Sequence, residues 1–162
     1  MAKFTVVGAA GYLGGALASH LVGQGHTVAA VLRTYPSDPR NLMSKVSSVV
    51  QVDAADSVFV SSVIETEPEH IIYCVSLDHK ESEREVSSSV DINVKPLLQL
   101  ARRVASDLPS ASITYLSTLQ VYGKIGVGEE IVESREARPE NLYGLTHLMC
   151  ETGLQTLSRG AG

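Results

Sequence analysis

With 162 residues, 44% of them hydrophobic and 19% charged, the chain has the make-up of one ordinary globular domain. Its net charge of −5, from 13 basic and 18 acidic residues with no basic run, argues against nucleic-acid binding. No apolar run reaches the ~18–20 residues of a membrane span, and the first predicted strand begins by Lys3, so neither a membrane segment nor a signal peptide is expected.

In chain order, the apolar stretch Phe4-Thr5-Val6-Val7 predicts a strand over 3–7 that enters Gly8-Ala9-Ala10-Gly11-Tyr12-Leu13-Gly14. Leu13, Leu17 and Leu21 recur at helical spacing, so a helix is predicted over 12–24, ended by Gly25. A strand, a tight turn and a helix N-terminus together form an anion site, because unpaired amides and the positive end of the helix dipole converge there. Gly8 suits the turn, Gly11 lets a pyrophosphate approach the backbone, and Gly14 lets the helix pack closely on the strand. The spacing is G-x-x-G-x-x-G rather than G-x-G-x-x-G, so its place at the head of a βαβ unit carries more weight than the glycines alone.

The second strand, over 27–32, ends in Leu32-Arg33-Thr34 without the carboxylate that would bond the adenosine ribose of NAD. Arg33 is instead a candidate ligand for the 2′-phosphate of NADP, which is therefore favoured over NAD. A weaker helix near 40–46, a strand over 48–52, a helix over 56–66 and a strand over 70–75 follow. The polar segment from Asp78 to Ser89 reads as solvated loop or helix extension. A helix over 91–106 closes at Asp107-Leu108-Pro109, a strand is predicted over 111–117, the stretch from Lys124 to Pro139 is irregular, and a helix covers 141–157. This alternation predicts an α/β fold with a parallel sheet. Together with the glycine loop and Arg33, the expectation is a Rossmann-type, doubly wound sheet forming a single NAD(P)-binding domain over 1–162. Cys74 and Cys150 lie in apolar surroundings without the spaced partners of a zinc site. Reduced, buried thiols, a cytoplasmic setting and no metal are the expectation.

Two later segments carry the chemistry: Tyr115-Leu116-Ser117-Thr118-Leu119-Gln120-Val121-Tyr122-Gly123 and Pro139-Glu140-Asn141-Leu142-Tyr143-Gly144-Leu145-Thr146-His147. On a helix, Tyr143, His147 and Glu151 share a face. A Tyr–Ser/Thr pair suits proton exchange with an alcohol or sugar oxygen while hydride moves to a nicotinamide. Tyrosine must have its pKa lowered from ~10 for this work, usually by a nearby cation.

With the glycine loop, Val52-Asp53-Ala54, Asp91-Ile92-Asn93-Val94, Ser117-Thr118…Val121-Tyr122-Gly123 and Tyr143-Gly144 in order, the chain resembles an extended short-chain dehydrogenase/reductase of the NAD-dependent epimerase/dehydratase family. The resemblance runs from Lys3 to about Glu151 and implies an enzyme acting on a small molecule, mostly a nucleotide sugar. It implies that Gly8, Gly11, Tyr12, Leu13 and Gly14 hold the pyrophosphate and that Asp53 and Ala54 flank the adenine. Cys74, Val75 and Ser76 would line the cofactor, and Asn93 would be the helix asparagine of the catalytic framework. Thr118 and Tyr143 would be the catalytic pair. It further implies a homodimer through the helices at 91–106 and 141–157, using positions among Val94, Leu97, Leu98, Leu142, Leu145 and Leu148.

Two departures stand out. His147 occupies the place of the lysine that lowers the tyrosine pKa; an imidazole is shorter and can be neutral near pH 7. Glu151, one turn on, would be the group to hold it protonated. The chain also stops just past this helix, so the substrate-shaping C-terminal region of such enzymes is expected to be absent. These departures keep an alternative open: a non-catalytic NADP(H)-binding module, acting as a sensor or assembly subunit.

Overall fold

The computed structural model describes residues 1–36 and 45–159; residues 40–44 of the helix predicted near 40–46 lie outside them. The chain divides into two compact units, Met1–Val75 with Gln99–Leu116, and Ser76–Leu98 with Ser117–Gly162.

The first unit contains the sheet. Strands β1 (Lys3–Val7), β2 (Thr27–Leu32), β3 (Ser48–Gln51), β4 (His70–Tyr73) and β5 (Ser112–Tyr115) are all parallel, in the order β3-β2-β1-β4-β5. Val6 is in register with Ala30 and Ile72, and Val7 with Val31 and Tyr73. Because neighbours along a strand point to opposite faces, these two sets cover opposite sides of the sheet. Val6, Val28 and Ala30 form a core with Ala9 and with Ala18 of helix α1 (Tyr12–Gly23). On the other face the Tyr73 ring stands edge-on to Phe59 of helix α2 (Phe59–Ile64), with ring centroids 6.4 Å apart. Helices thus cover both faces, as the doubly wound reading requires. This explains why Val28 to Leu32 is buried residue after residue instead of alternating.

The predicted strands match closely, whereas α2 begins three residues later than expected. Asp53 and Asp56 account for the difference. Asp53 Oδ1 accepts from the Ala55 amide at 3.0 Å, and the Asp56 amide bonds the Asp53 carbonyl at 3.0 Å. Short acidic side chains that bond nearby amides favour a turn over a continuing helix.

The second unit is helical. The polar segment after Asp78 folds as α3 (His79–Arg84) and α4 (Val86–Ser89), each started by an acidic cap. Asp78 accepts from the Glu81 amide at 2.9 Å, and Glu85 accepts from the amides of Ser87 and Ser88 at 3.1 and 2.7 Å. Ser82 and Ser89 are fully buried, and the Ser89 hydroxyl donates to the Ser82 carbonyl at 2.7 Å. A π-helical turn, Val90–Val94, precedes α5 (Lys95–Asp107), which belongs to the first unit from Gln99 on; uninterrupted α-helix was expected from 91. A 3-10 turn, Leu119–Tyr122, and α6 (Leu142–Arg159) complete this unit. Among the described residues no helix is long and apolar enough to cross a membrane, and no group of three metal-ligating side chains occurs.

Candidate functional site

The glycine loop folds back over the ends of two strands. Gly8, at φ +86°, and Ala9 both donate their amides to the Val31 carbonyl, at 2.9 and 3.0 Å, and Gly11 donates to the Gly8 carbonyl at 2.9 Å. A Cβ on Gly14 would run into that same Gly8 carbonyl, so α1 approaches β1 to a distance no side chain allows. Gly11 caps α1 without any side-chain hydrogen bond to its first turn. The amides of Tyr12, Leu13 and Gly14 have no intrahelical carbonyl to bond, and the side chains of Tyr12 and Leu13 stand in solvent. The loop therefore presents backbone donors to whatever lies beyond it.

The other first-unit candidates line the same C-terminal edge of the sheet. Cys74 and Val75 follow β4 and close on the loop: a Cβ on Gly8 would lie 3.1 Å from the Cys74 carbonyl group and 3.2 Å from the Val75 side chain. This is where the strand order reverses, β1 having β2 on one side and β4 on the other. Open α/β sheets bind ligands at such a reversal. Arg33 follows β2 with its side chain exposed, while its carbonyl accepts from Gln51 Nε2 at 3.2 Å. Asp53 and Ala54 follow β3, the strand beside β2, and the Asp53 carboxylate holds its own turn. Cys74 is half-buried rather than buried, and burial pushes its thiol up to about 11, so it is protonated and a poor nucleophile at neutral pH.

In the second unit, Asn93 sits in the π-helical turn, 1% exposed. Its Oδ1 accepts from the Leu77 amide at 2.7 Å, and its Nδ2 donates to Thr146 Oγ1 at 3.0 Å and to Ser82 Oγ at 3.3 Å. The buried Cys150 thiol donates to its backbone carbonyl at 3.2 Å. The side chain is thus committed to joining the segment after Ser76, α3 and α6. We expect Asn93→Ala to cost about 3 kcal/mol, because several buried polar groups lose partners together, read as a lower midpoint in urea denaturation.

Tyr143 and Thr118 begin neighbouring segments. Thr118 starts the 3-10 turn, its hydroxyl oxygen accepting from the Gln120 amide at 3.3 Å. That turn docks on the start of α6: Asn141 Nδ2 donates to Gln120 Oε1 at 2.8 Å, and a Cβ on Gly144 would meet the Gln120 carbonyl at 2.5 Å. Asn141 also caps α6 through the Gly144 amide at 2.7 Å. Tyr143 is half-buried, its ring 4.5 Å from that of His147, centroid to centroid. His147 is 2% exposed, and burial pushes it down from 6.5 to about 4. This corrects the expectation of a protonated His147 held by Glu151: the imidazole is neutral at pH 7, and the Glu151 carboxylate accepts a hydrogen bond from the Ser117 hydroxyl.

Of the positions considered for a dimer contact, Val94 and Leu97 are buried in the chain's own fold, while Leu145 is 44% exposed. Sequence reasoning missed His79, Ser82, Glu83 and Thr146. His79 and Glu83 are spaced four apart, the one signal available, but it counts only once the segment is known to be helical.

A sequence model of the NAD dependent epimerase/dehydratase family matches residues 4–162. The UDP-glucose 4-epimerase of Streptococcus mutans serotype c is 28% identical over 97% of this chain, which spans 47% of that protein. The fold is similar to that of the Thermus thermophilus UDP-glucose 4-epimerase in complex with NAD, with a TM-score of 0.88 at 21% identity, covering 99% of this chain and 52% of that one. It is likewise similar to the Thermotoga maritima UDP-glucose 4-epimerase with UDP-glucose, with a TM-score of 0.83 at 19% identity, covering 99% and 52%. The chain therefore spans about half the length of the relatives it matches.

Proposed function

The chain belongs to the NAD-dependent epimerase/dehydratase family, and from that premise we propose that it is the dinucleotide-holding part of an NAD(P)-dependent enzyme acting on a nucleotide sugar. The observation that carries this reading is the loop from Gly8 to Gly14, whose helix start is left uncapped by any side chain and which Gly14 keeps pressed against β1. Such a cradle fits a pyrophosphate. Gly8, Gly11, Tyr12, Leu13 and Gly14 would hold it, with Asp53 and Ala54 at the adenine, Arg33 at a 2′-phosphate, and Cys74, Val75 and Ser76 along the remainder. The bound nicotinamide would supply hydride acceptance and return at a sugar carbon. Tyr143 Oη would take the proton of the sugar hydroxyl and give it back, and Thr118 Oγ1 would hydrogen-bond the same oxygen. A single domain and a homodimer are part of the proposal, the latter favoured by the exposed Leu145 and Met149 on α6.

Calorimetric titration with NADPH and NADH is the test. Tight binding is expected for at least one of them, and binding of neither would overturn the reading. Arg33→Ala is expected to weaken NADPH by roughly 10- to 100-fold, the worth of a charge-assisted hydrogen bond, and to leave NADH unchanged. An unchanged NADPH affinity would remove the preference for NADP.

A second reading, binding without turnover, is favoured by the neutral His147. With no cation at position 147, the group that would ease proton loss from Tyr143 is missing there. His147→Lys separates the two: an enzyme should gain about tenfold or more in turnover at pH 7, and a pure binding module nothing.

A further inference from the structure

We infer that His79 is a positioning residue for Tyr143, an inference that rests on the reading of Tyr143 as the proton-exchanging group. Helix α3 carries His79 and Glu83 one turn apart, hence on one face, and both meet Tyr143. Glu83 Oε1 accepts from the Tyr143 amide at 3.0 Å. The His79 imidazole stands edge-on to the phenol ring, with centroids 6.2 Å apart and ring planes at 88°. Ring quadrupoles favour this T-shaped arrangement. Thr146 Oγ1 donates to the Tyr143 carbonyl at 2.9 Å, so the backbone of Tyr143 is held at both its amide and its carbonyl.

A fixed backbone does not fix the ring. The torsion that turns a phenol about its own axis has broad, shallow preferences, so the ring's plane is set by what touches its faces and edges. Among the described residues, two imidazoles stand against it. His147 comes from the same helix, one turn on. His79 comes from a separate helix, itself anchored where the buried Ser82 hydroxyl accepts from Asn93 Nδ2 at 3.3 Å. It therefore ties the ring's orientation to an element outside α6. The placement of a reacting hydroxyl depends on that tie, since small misplacements of a reacting group are expensive in rate.

The test compares His79→Ala with His79→Phe, which keeps an edge-on ring without ring nitrogens. NMR of tyrosine ring signals in the full chain, with the Tyr143 signal identified by its loss in Tyr143→Phe, reads the ring directly and needs no turnover. Turnover of UDP-glucose with NAD or NADP reads the consequence. We expect His79→Ala to shift the Tyr143 ring signal and to lower kcat roughly 10- to 100-fold at unchanged dinucleotide Kd, with both effects largely reversed in His79→Phe. A Tyr143 signal that stays in place in His79→Ala overturns the inference, as does an unchanged kcat in a protein that Tyr143→Phe inactivates. If Tyr143→Phe retains full turnover, the reading of Tyr143 as proton carrier fails, and the ring signal alone then decides whether His79 orients it.

Discussion

Replacing Gly14 with alanine is expected to weaken dinucleotide binding by roughly 10- to 100-fold, the equivalent of the 1–3 kcal/mol that overpacking a tight contact costs. The added methyl group would collide with the Gly8 carbonyl oxygen, and neither partner can yield cheaply. Gly8 is pinned by its own amide and that of Ala9 to the Val31 carbonyl. Relief must come from α1 lifting away from β1. That movement displaces the amides of Tyr12, Leu13 and Gly14, and it opens the packing of Ala18 against Val6 and Val28. Gly23→Ala is the matched control, because a Cβ there meets nothing within 4 Å and alanine suits a helix better than glycine. Calorimetry with NADH and NADPH should therefore show a large loss for the first substitution and none for the second. Equal affinities for Gly14→Ala and the unmodified chain would remove the loop from the binding site.

The second large effect concerns acid. His147 is neutral and buried, with its protonation pushed down to about 4, whereas in the unfolded chain it takes up a proton near 6.5. Between these values the unfolded state binds more protons at this position, so lowering the pH favours unfolding. Stability from this source is complete above pH 6.5, falls as the pH drops, and levels out below about 4. Across the whole window the loss comes to about 3 kcal/mol, a substantial share of a small domain's stability. Denaturation of the unmodified chain and of His147→Asn, each followed from pH 7.5 to pH 4, isolates the contribution from that of the carboxylates. The slope between pH 6.5 and 4 should be shallower in the variant. Parallel curves would mean that His147 takes up its proton in the native state as readily as in the unfolded one.

The sheet could be read from the sequence because its signals are local. A run such as Val28-Ala29-Ala30-Val31-Leu32 has no polar face, which only a strand covered on both sides can accept. The order of Gly8, Gly11 and Gly14 at the end of β1 located the loop, and Tyr143-Gly144 located the start of α6. What could not be read depends on partners distant in the chain. Ser82 looks like surface until Asn93, eleven residues on, bonds it. The fate of His147 turns on how deeply α6 packs, which its neighbours in sequence do not determine. A four-residue spacing joins His79 to Glu83, but the polar composition around it suits a solvated loop equally well. The π-helical turn at Asn93 has no composition of its own and shows only in the backbone.

The place of β1 in the sheet has a consequence for how the chain is made. Of the five strands in this sheet, the earliest in the chain is the middle one, so it leaves the ribosome before any of its partners. Its β2 edge is satisfied once Thr27–Leu32 has emerged, but its other edge awaits β4, where Phe4 pairs with His70. At roughly 5–20 residues per second, that edge stays open for several seconds during synthesis. Unpaired backbone along an apolar strand is a template for other chains, so the nascent chain is open to aggregation through this edge during that interval.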